Sequence, residues 1–455
     1  MAKYRGRTYH DPLHGAIALD GRDPTEALLI ELIDTPAFQR LRRIRQLGPA
    51  SLTFHGAESS RFTHSLGVMA IARRAFDRLV HHHPTLRPHR ATVLCAALLH
   101  DVGHGPFSHT AEEIFASQHE TWTERVIRSD PAIATHLNQF APGLIEAIVA
   151  VYHHRHPVPL VWQLVSSQFD CDRLDYLMRD SYFTGAAYGQ LDLDRIILAM
   201  EYDSVSQQLV VTRKGMAAVE HYLMVRQFMY SQVYNHPKNL AVTWVLIRLF
   251  ERARQLLADG GLAADPTVRA WLTVPIAQLT LADYLDADDT VLNYHIHRWR
   301  SQMDPILADL CRRYEDRELP KALEISGYAP PEQTALLTAV RACLARAGLA
   351  PEVYAGVFQT SRSGYKLYHH GIKVNTRAGL QELSTLSAIV RMLAEQQQRS
   401  WLIYPVQAAA VVERSGLWTN DVTAKQESGR EVQTSSSTTD DRLPRTAAGI
   451  PPSDL

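Results

Sequence analysis

The sequence predicts a mainly α protein in which the C-terminal part adds a smaller, mixed α/β region. Two observations support this prediction. Apolar residues recur every three or four positions through most of the chain, which is the period of a helix that buries one face. Three short segments instead have the β-branched or alternating character of strands, namely residues 207–213, 365–374 and 401–412.

The predicted helices follow one another from the N-terminus. In residues 28–48, Leu41, Ile44 and Leu47 are spaced by three positions, and Gly48 with the following proline provides a helix stop. The other segments with helical periodicity are residues 65–80, 91–101, 146–154, 161–180 and 217–236.

These patterns divide the chain into three predicted units. Residues 1–205 are almost entirely helical in pattern, and residues 206–412 combine helices with the strand candidates. Residues 413–455 are polar, so they cannot bury enough apolar surface to fold. We therefore predict that this last segment is a disordered tail.

Composition limits the classes of function. The 455 residues, 46% of them hydrophobic, are enough for a large buried core. The net charge of -1 gives no overall basic field, so nucleic acid is not indicated as a partner. The four cysteines are widely spaced, which is typical of reduced thiols. Because no apolar run approaches the roughly 20 residues of a membrane span, we expect a soluble, cytoplasmic protein with no membrane partner.

The segment 98–109, LLHDVGHGPFSH, ends an apolar helix in ionisable residues. His100 and Asp101 are adjacent, and two glycines then interrupt the helix so that His104 and His109 can fold back toward them. Removing so many polar groups from water requires a partner, and a metal ion is one such partner. A histidine-rich loop without a ligand is the alternative.

Two other segments offer further metal ligands. His64 lies at the start of a predicted helix in RFTHSLG. If residues 169–180 are helical, Asp172, Tyr176 and Asp180 lie on one face at intervals of four. A solvated acidic face is the alternative explanation for this stripe.

Five separated motifs now point to one family. They are DPLHG (11–15), IDTPAFQRLRRIRQLG (33–48), RFTHSLGV (61–68), LLHDVGHGPFSH (98–109) and FDCDRLDYLMRDSYFTG (169–185). Over residues 8–240 the chain resembles the HD-domain metal-dependent phosphohydrolases, and within them the branch of deoxynucleoside triphosphate triphosphohydrolases. The resemblance implies an HD-domain helical core in residues 1–205. It also implies that residues 206–412 complete the substrate site and an oligomer interface.

The H…HD…D signature of this family implies a metal site and its chemistry. The implied ligands of one divalent ion are His64, His100, Asp101 and Asp172. Such a mixed nitrogen and oxygen set suits Mn²⁺, Fe²⁺ or Zn²⁺ and tolerates Mg²⁺, and an additional Mg²⁺ would accompany the triphosphate. By the resemblance, water attacks the α-phosphorus of a deoxynucleoside triphosphate, and the products are the deoxynucleoside and intact triphosphate.

The same resemblance implies the catalytic residues. His119 corresponds to the histidine that protonates the leaving oxygen, and His109 is the second candidate for this role. Glu112 is the acid paired with the histidine, and Arg61 contacts the α-phosphate beside the metal. The alternative explanation of His119 is a surface residue near the start of a helix.

The substrate-binding residues are also implied by the resemblance. Tyr176 would leave no room for a 2′-hydroxyl, and Gln46 and Asp180 would bind the 3′-hydroxyl. The full implied set is Gln46, Leu47, Arg61, His104, Arg173, Tyr176, Asp180, Arg226, Tyr230, Tyr234 and Lys238. An ordinary amphipathic helix is the alternative for the stripe Arg226, Tyr230 and Tyr234.

Members of this branch are typically oligomers, and some are activated by nucleotides bound between subunits. The resemblance therefore implies a homodimer or homotetramer and a regulatory nucleotide. The implied regulatory positions are Arg7, Asp34, Gln39, Arg42, Asp192 and Arg195, with Arg213 as a further candidate. A capped, basic helix start explains the segment 34–42 equally well.

Two other functions remain compatible with the sequence. One is a different HD-type phosphohydrolase or phosphodiesterase that acts on a cyclic nucleotide, a monophosphate or an alarmone. The alarmone hydrolases follow their HD pair with a Glu-Asp pair, whereas this chain continues with VGHGPFSH. The other is a nucleotide-binding sensor without turnover. The products formed from each nucleotide would separate these functions.

Overall fold

α-Helices form most of the protein, as the sequence predicts. A computed structural model describes residues 6–367 and 371–415. The helices of its first half are α1 (Pro24–Ile33), α2 (Pro36–Gln39), α3 (Arg61–His82), α4 (Arg90–Leu99), α5 (His109–Phe115), α6 (His119–Ser129), α7 (Pro131–Phe140), α8 (Leu144–Tyr152), α9 (Pro159–Gln163), α10 (Cys171–Thr184) and α11 (Leu193–Ala199).

The second half of the chain continues with helices of more varied length. They are α12 (Met216–Met229), α13 (Pro237–Ala258), α14 (Pro266–Thr273), α15 (Leu281–Leu285), α16 (Asp289–Trp299), α17 (Pro305–Glu315), α18 (Pro330–Arg346), α19 (Pro351–Tyr354), α20 (Leu383–Leu386), α21 (Ala388–Leu393) and α22 (Ala409–Arg414). A π-helical turn, Tyr230–Tyr234, directly follows α12. Short 3₁₀ helices lie at Arg40–Arg43, Gly48–Leu52, Pro84–His89, Ala187–Gly189, Arg213–Gly215, Ile276–Gln278 and Val406–Ala408.

Three small sheets complete the described fold. Their strands are β1 (Arg7–Asp11), β2 (Gly15–Leu19), β3 (Met200–Asp203), β4 (Gln208–Thr212), β5 (Lys321–Glu324), β6 (Gly356–Ser363), β7 (Lys373–Thr376), β8 (Gly379–Glu382) and β9 (Gln396–Tyr404). β1 and β2 form an antiparallel hairpin. The second sheet has the order β3-β4-β7-β8, in which only β4 and β7 are parallel, and the third has the order β5-β9-β6. Most of the strand content therefore lies in the C-terminal half, as predicted.

Several predicted elements differ in extent. The single helix predicted over 161–180 is two helices, because α9 ends at Gln163 and Asp170 caps a new helix by accepting from the N–H of Arg173 at 2.8 Å. The strand predicted over 365–374 begins at Lys373, and residues 368–370 lie outside the described residues. The strand predicted over 401–412 ends at Tyr404, and α22 follows it.

The predicted tail begins inside a helix of the structure. α22 extends to Arg414, so the first residues of the predicted tail are helical, and residues 416–455 lie outside the described residues. All four cysteines are free thiols. Among the described helices, none combines the length and the apolar character needed to cross a lipid bilayer.

The described residues form two large hydrophobic cores and one small cluster around Trp244 and Trp401, and the candidate site draws residues from both large cores. The first core includes the apolar faces of α3, α4, α8, α10 and α12. The second includes α13, α14, α16, α17 and α18, together with residues of α5 and α6. The two cores interleave along the sequence, and the division of the chain at residue 205 stays a prediction.

Candidate metal centre and substrate cavity

Four predicted metal ligands meet between three helices. His64 lies in the first turn of α3, His100 and Asp101 directly follow α4, and Asp172 lies in the first turn of α10. Nε2 of His64 is 3.1 Å from Oδ1 of Asp172 and 3.2 Å from Nε2 of His100. Nε2 of His100 is 3.3 Å from Asp101 and 3.6 Å from Asp172. Ligand atoms of His64, His100 and Asp101 all lie within 4.8 Å of one another, so these three residues could hold a metal ion together, and Asp172 adjoins them through the two imidazoles.

The Nδ1 atoms of His64 and His100 already have hydrogen-bond partners within the protein. Nδ1 of His64 is 2.7 Å from a carboxylate oxygen of Asp175, and Nδ1 of His100 is 2.9 Å from the carbonyl oxygen of Ala97. Because both partners can only accept, each Nδ1 carries a hydrogen, which leaves each Nε2 as the nitrogen that can bind a metal ion in place of a proton. This arrangement orients histidine ligands in many metal sites, and it supports the assignment of a metal centre.

The electrostatics of the centre also favour a cation. Burial opposes protonation of His64, but hydrogen bonds to Asp172 and Asp175 raise its pKa to about 10. His64 and Asp101 are almost completely buried. The carboxylates therefore create a strong preference for positive charge at a point that water scarcely reaches.

A shell of residues that sequence reasoning missed supports His64. Oδ1 of Asp175 is 2.6 Å from Nε2 of His14, and Arg179 donates to the same carboxylate at 2.7 and 3.0 Å. Arg179 also donates to Asp11 at 2.9 Å. The signal was present in the sequence, since Asp11 and His14 belong to the DPLHG motif and Asp175 lies three residues after Asp172.

Two histidines share one carboxylate beside the metal centre. Nδ1 of His109 is 3.1 Å from one oxygen of Glu112, and Nδ1 of His119 is hydrogen-bonded to the other oxygen. Burial raises the pKa of Glu112, but the two imidazoles lower it further and hold it below the ordinary value. The ring of His119 stacks on His104 with centroids 3.9 Å apart. Burial and the nearby Arg61 keep the pKa of His104 well below its ordinary value, so this imidazole is neutral.

A cavity of about 440 Å³ opens next to this cluster. Its wall contains seven of the predicted substrate-binding residues, which are Gln46, Leu47, Arg61, Tyr176, Asp180, Tyr230 and Tyr234. Other parts of the wall come from the segment 107–110, Glu113, the start of α13, and Phe358 and Thr360 of β6. The cavity is therefore shared between the metal-binding half of the chain and the C-terminal half.

Asp180 and Gln46 line the cavity, and each has a buried side-chain oxygen without a partner among the described residues. Oδ2 of Asp180 accepts from the hydroxyl of Tyr234 at 2.8 Å, whereas its Oδ1 has no partner among the described residues. Oε1 of Gln46 likewise has no partner in the described part of the chain. Burial raises the pKa of Asp180 to about 7. The hydroxyls of Tyr176 and Tyr230 are 3.2 Å apart on the same wall.

Four predicted substrate-binding residues are not part of this wall: His104, Arg173, Arg226 and Lys238. Arg173 is paired with the buried Asp170, and Arg226 donates to the carbonyl oxygen of Gly364 at 3.3 Å. The Nε atoms of both guanidinium groups are nevertheless buried and unpartnered within the described residues. Arg61 lines the cavity, but it also pairs with Asp101 and donates to the hydroxyl of Ser108 at 2.8 Å.

The two candidate proton donors differ in their access to the cavity. His109 lines it and its side chain is 66% exposed, whereas His119 is 17% exposed and is not in the wall. The cavity therefore gives His109 the more direct route to a ligand. Glu113, which the sequence analysis did not single out, also lines the cavity, and burial raises its pKa to about 7.

The predicted regulatory positions make contacts within the chain. Arg7 pairs with Asp34, and Gln39 accepts from Nε of Arg42 at 2.7 Å. The guanidinium of Arg42 also lies 3.5 Å from the ring centre of Phe62. Among the other predicted regulatory residues, the carboxylate of Asp192 caps α11 by accepting from the N–H of Arg195 at 3.0 Å. A nucleotide site at these residues stays a prediction.

Comparison with known proteins identifies the family. Residues 61–180 match the model of the HD domain, and residues 191–271 match that of the HD associated region. The protein YwfO of Bacillus subtilis is 37% identical over 407 residues, which are 88% of this chain and 92% of that protein. The human deoxynucleoside triphosphate triphosphohydrolase SAMHD1 is 30% identical over 288 residues, 54% of this chain and 44% of the human protein.

A solved structure supports the same assignment. The crystal structure of a phosphohydrolase from Bacteroides thetaiotaomicron superposes with a TM-score of 0.78 at 26% sequence identity. The match covers 88% of this chain and all of that one. The HD-domain match begins at Arg61 and ends at Asp180, so it contains all four residues of the metal centre. The chain belongs to the HD-domain family of phosphohydrolases.

Proposed function

We propose that this protein hydrolyses deoxynucleoside triphosphates to the deoxynucleoside and triphosphate. The observation that carries the proposal is the pair of unpartnered oxygens on Asp180 and Gln46 in the cavity wall. Buried polar atoms are normally hydrogen-bonded, so a ligand with a hydroxyl group is expected to occupy this place. The 3′-hydroxyl of a nucleotide sugar has one hydrogen, which it would donate to one of these oxygens.

The neighbouring tyrosine supports a deoxyribose. Tyr176 lies one helical turn before Asp180 on α10, and both residues line the cavity. Its hydroxyl is held 3.2 Å from that of Tyr230. A sugar whose 3′-hydroxyl binds Asp180 would turn its C2′ edge toward this ring, which leaves little room for a 2′-hydroxyl.

The phosphate groups would bind on the side of the metal centre. A divalent cation held there polarises a phosphoryl group and lowers the pKa of a water molecule. Arg61 lines the cavity beside the ligand Asp101 and adds positive charge to that side.

His109 is the proposed proton donor to the departing 5′-oxygen. It lines the cavity, and its Nδ1 is anchored on Glu112 at 3.1 Å, so its Nε2 is free to face the substrate. Glu112 orients the ring, while His119 holds the second oxygen of the same carboxylate. The similarity to human SAMHD1, named as a deoxynucleoside triphosphate triphosphohydrolase, supports the same reaction.

Product analysis tests the proposal. The purified chain is incubated with each deoxynucleotide and ribonucleotide, with and without GTP, in the presence of Mn²⁺, Fe²⁺, Zn²⁺ or Mg²⁺. We expect equal amounts of deoxynucleoside and triphosphate, and in H₂¹⁸O the label enters the triphosphate. Formation of inorganic phosphate or pyrophosphate as the primary product would refute the proposal.

A pair of variants links the reaction to the metal centre. Asp172→Ala removes one of the four ligands and is expected to abolish both bound metal and turnover. Asp194→Ala removes an exposed carboxylate that pairs with Arg74 at the surface, and it should leave both unchanged. Retention of metal and of turnover in Asp172→Ala would exclude this centre as the site of the reaction.

We also propose that the protein is a homo-oligomer and that a nucleotide regulates it. The support is the resemblance of Arg7, Asp34, Gln39 and Arg42 to regulatory positions of the branch. Mass measurement in solution, with and without GTP, tests both parts, since GTP is expected to increase the assembled fraction and the rate together. An unchanged mass and rate would contradict the regulatory part.

A further inference from the structure

Residues 103–108, here termed the HD loop, connect the metal ligands to His109. The backbone of this loop is in the left-handed region at Phe107 and Ser108, where φ is 63° and 55°. At Ser108, ψ is -131°, a combination that glycine usually adopts. Gly48 packs so closely that an added Cβ would lie 2.4 Å from the carbonyl oxygen of Phe107. Such a conformation persists at non-glycine residues only where surrounding contacts impose it.

Ser108 links this strained turn to the site. Its hydroxyl donates to the carbonyl oxygen of Arg45 at 2.5 Å and accepts from Nε of Arg61 at 2.8 Å. Arg61 is paired with the predicted metal ligand Asp101. Since His109 directly follows Ser108, the position of this one turn sets both a cation beside the metal centre and the proposed proton donor.

A distant carboxylate holds the turn in place. Oδ1 of Asp289 accepts from the backbone N–H of Phe107 at 2.7 Å, and its Oδ2 accepts from that of Arg45 at 2.9 Å. Asp289 is 4% exposed, so little water can substitute for these bonds. Burial raises its pKa to about 6, and the two backbone N–H groups oppose that rise. The residue lies outside both segments matched by the family models.

The residues before Asp289 fasten the rest of the HD loop. The hydroxyl of Tyr284 donates to the carbonyl oxygen of Gly103 at 2.7 Å. Arg40, which is fully enclosed, donates to the carbonyl oxygens of Ala287 at 2.9 Å and of His104 at 2.8 Å. The segment 284–289 is here termed the clamp segment. It contacts the HD loop at Gly103 and at Phe107, and Arg40 connects the two segments.

We infer that Asp289 is a positioning residue of the catalytic centre. By binding the N–H groups of Phe107 and Arg45, it holds the HD loop in the strained form that sets Arg61 and His109 against the metal site. It contacts neither the substrate cavity nor a metal ligand. The inference rests on the proposed function for its kinetic assay, but the contacts that carry it do not depend on the identity of the substrate.

Substitutions at Asp289 in the full-length chain test the inference. Asp289→Asn keeps one acceptor oxygen, and Asp289→Ala keeps none. Because small displacements of catalytic groups are costly, we expect kcat for deoxynucleotide hydrolysis to fall by about 10-fold in the first variant and about 100-fold in the second. KM is expected to stay within about twofold and bound metal to stay stoichiometric, since Asp289 holds neither ligand nor substrate.

Asp288→Asn is the matched control. Asp288 is equally buried, pairs with Arg43, and caps α16 by accepting from the N–H groups of Thr290 and Val291 at 2.9 and 3.2 Å. Asparagine is an equally good helix cap. This variant therefore perturbs the same helix start without touching the HD loop, and its kcat should stay within about twofold of the wild-type value.

Hydrogen exchange of the peptide that covers residues 103–109 gives a readout independent of turnover. Faster exchange in Asp289→Asn than in both the wild type and Asp288→Asn would support the inference, even if the wild type hydrolysed no deoxynucleotide and the proposed function failed. Unchanged exchange, an unchanged kcat, or equal losses in Asp288→Asn would overturn it. A loss of metal in parallel with kcat would also overturn it, because Asp289 would then maintain the metal site itself.

Discussion

Replacing Asp175 by asparagine is expected to weaken metal binding, although Asp175 is not one of the four ligands. Its carboxylate lies 2.7 Å from Nδ1 of His64 and 2.6 Å from Nε2 of His14. Arg179 donates to both of its oxygens, at 2.7 and 3.0 Å. Asparagine keeps one oxygen but presents an NH₂ group in place of the other, so at least one donor then faces another donor.

The size of the effect follows from these contacts. Loss of the outer partner of a ligating histidine typically lowers metal affinity about 10–100-fold, which corresponds to about 1.4–2.7 kcal/mol. The fold is also destabilised, since removing one member of a buried ion pair costs about 3–5 kcal/mol. Asp11 still pairs with Arg179 at 2.9 Å, so the lower end of that range is expected.

The assay is a chelator competition that measures the dissociation constant of Mn²⁺ for each variant, together with urea unfolding. Asp11→Asn is the control, because Asp11 contacts Arg179 in the same network but does not touch His64. We expect Asp11→Asn to lower stability while metal affinity stays within about threefold. An unchanged dissociation constant in Asp175→Asn, or an equal loss in Asp11→Asn, would refute the reasoning.

Three further predictions concern the cavity. Tyr176→Ala should reduce the preference for deoxynucleotides over ribonucleotides by about 10-fold or more, measured as the ratio of kcat/KM values, whereas Tyr176→Phe should retain it. His109→Gln should lower kcat by about 10²–10⁴-fold. The loss should be larger than in His119→Gln, because of these two histidines only His109 lines the cavity. A larger loss in His119→Gln would instead identify His119 as the proton donor. Asp180 has its pKa raised by burial from 3.8 to about 7, so between these values the folded chain holds a proton that the unfolded chain has released. The free energy of unfolding therefore falls as the pH rises through this window. In urea unfolding, Asp180→Asn should be more stable than the wild type at pH 8 by on the order of 1 kcal/mol, but not at pH 4. An equal difference at both pH values would contradict this.

The metal centre could be predicted from the sequence because its ligands are marked locally. His100 and Asp101 are adjacent at the end of an apolar helix, and Asp172 begins a helix whose stripe continues through Tyr176 and Asp180. Helical periodicity also predicts α3, α4 and α12 closely, since each buries one apolar face.

Other features depend on contacts that periodicity does not encode. Residues 164–170 contain neither glycine nor proline to mark a break, and Asp170 starts a new helix there because its side chain caps it. The π-helical turn at Tyr230–Tyr234 lines the cavity, and no spacing in the sequence indicates it. The carboxylate that holds Phe107 is 182 residues away in the chain, so only the folded structure brings it to the HD loop.

The two cores give the metal and the proton donor separate supports. The ligands His64 and Asp172 belong to helices packed in the first core, whereas His109 begins α5, whose Ala111, Ile114 and Phe115 pack in the second. The HD loop is one of the covalent links between them and joins the ligands to the donor, so a small shift of one core against the other would change the distance from donor to metal without disturbing the ligands. Loss of the contacts that Asp175 makes to His64 should therefore reduce metal affinity first, and loss of the contacts that Asp289 makes to the HD loop should reduce turnover while metal remains bound. Asp175→Asn and Asp289→Asn are expected to separate these two losses because each acts on only one side of the loop.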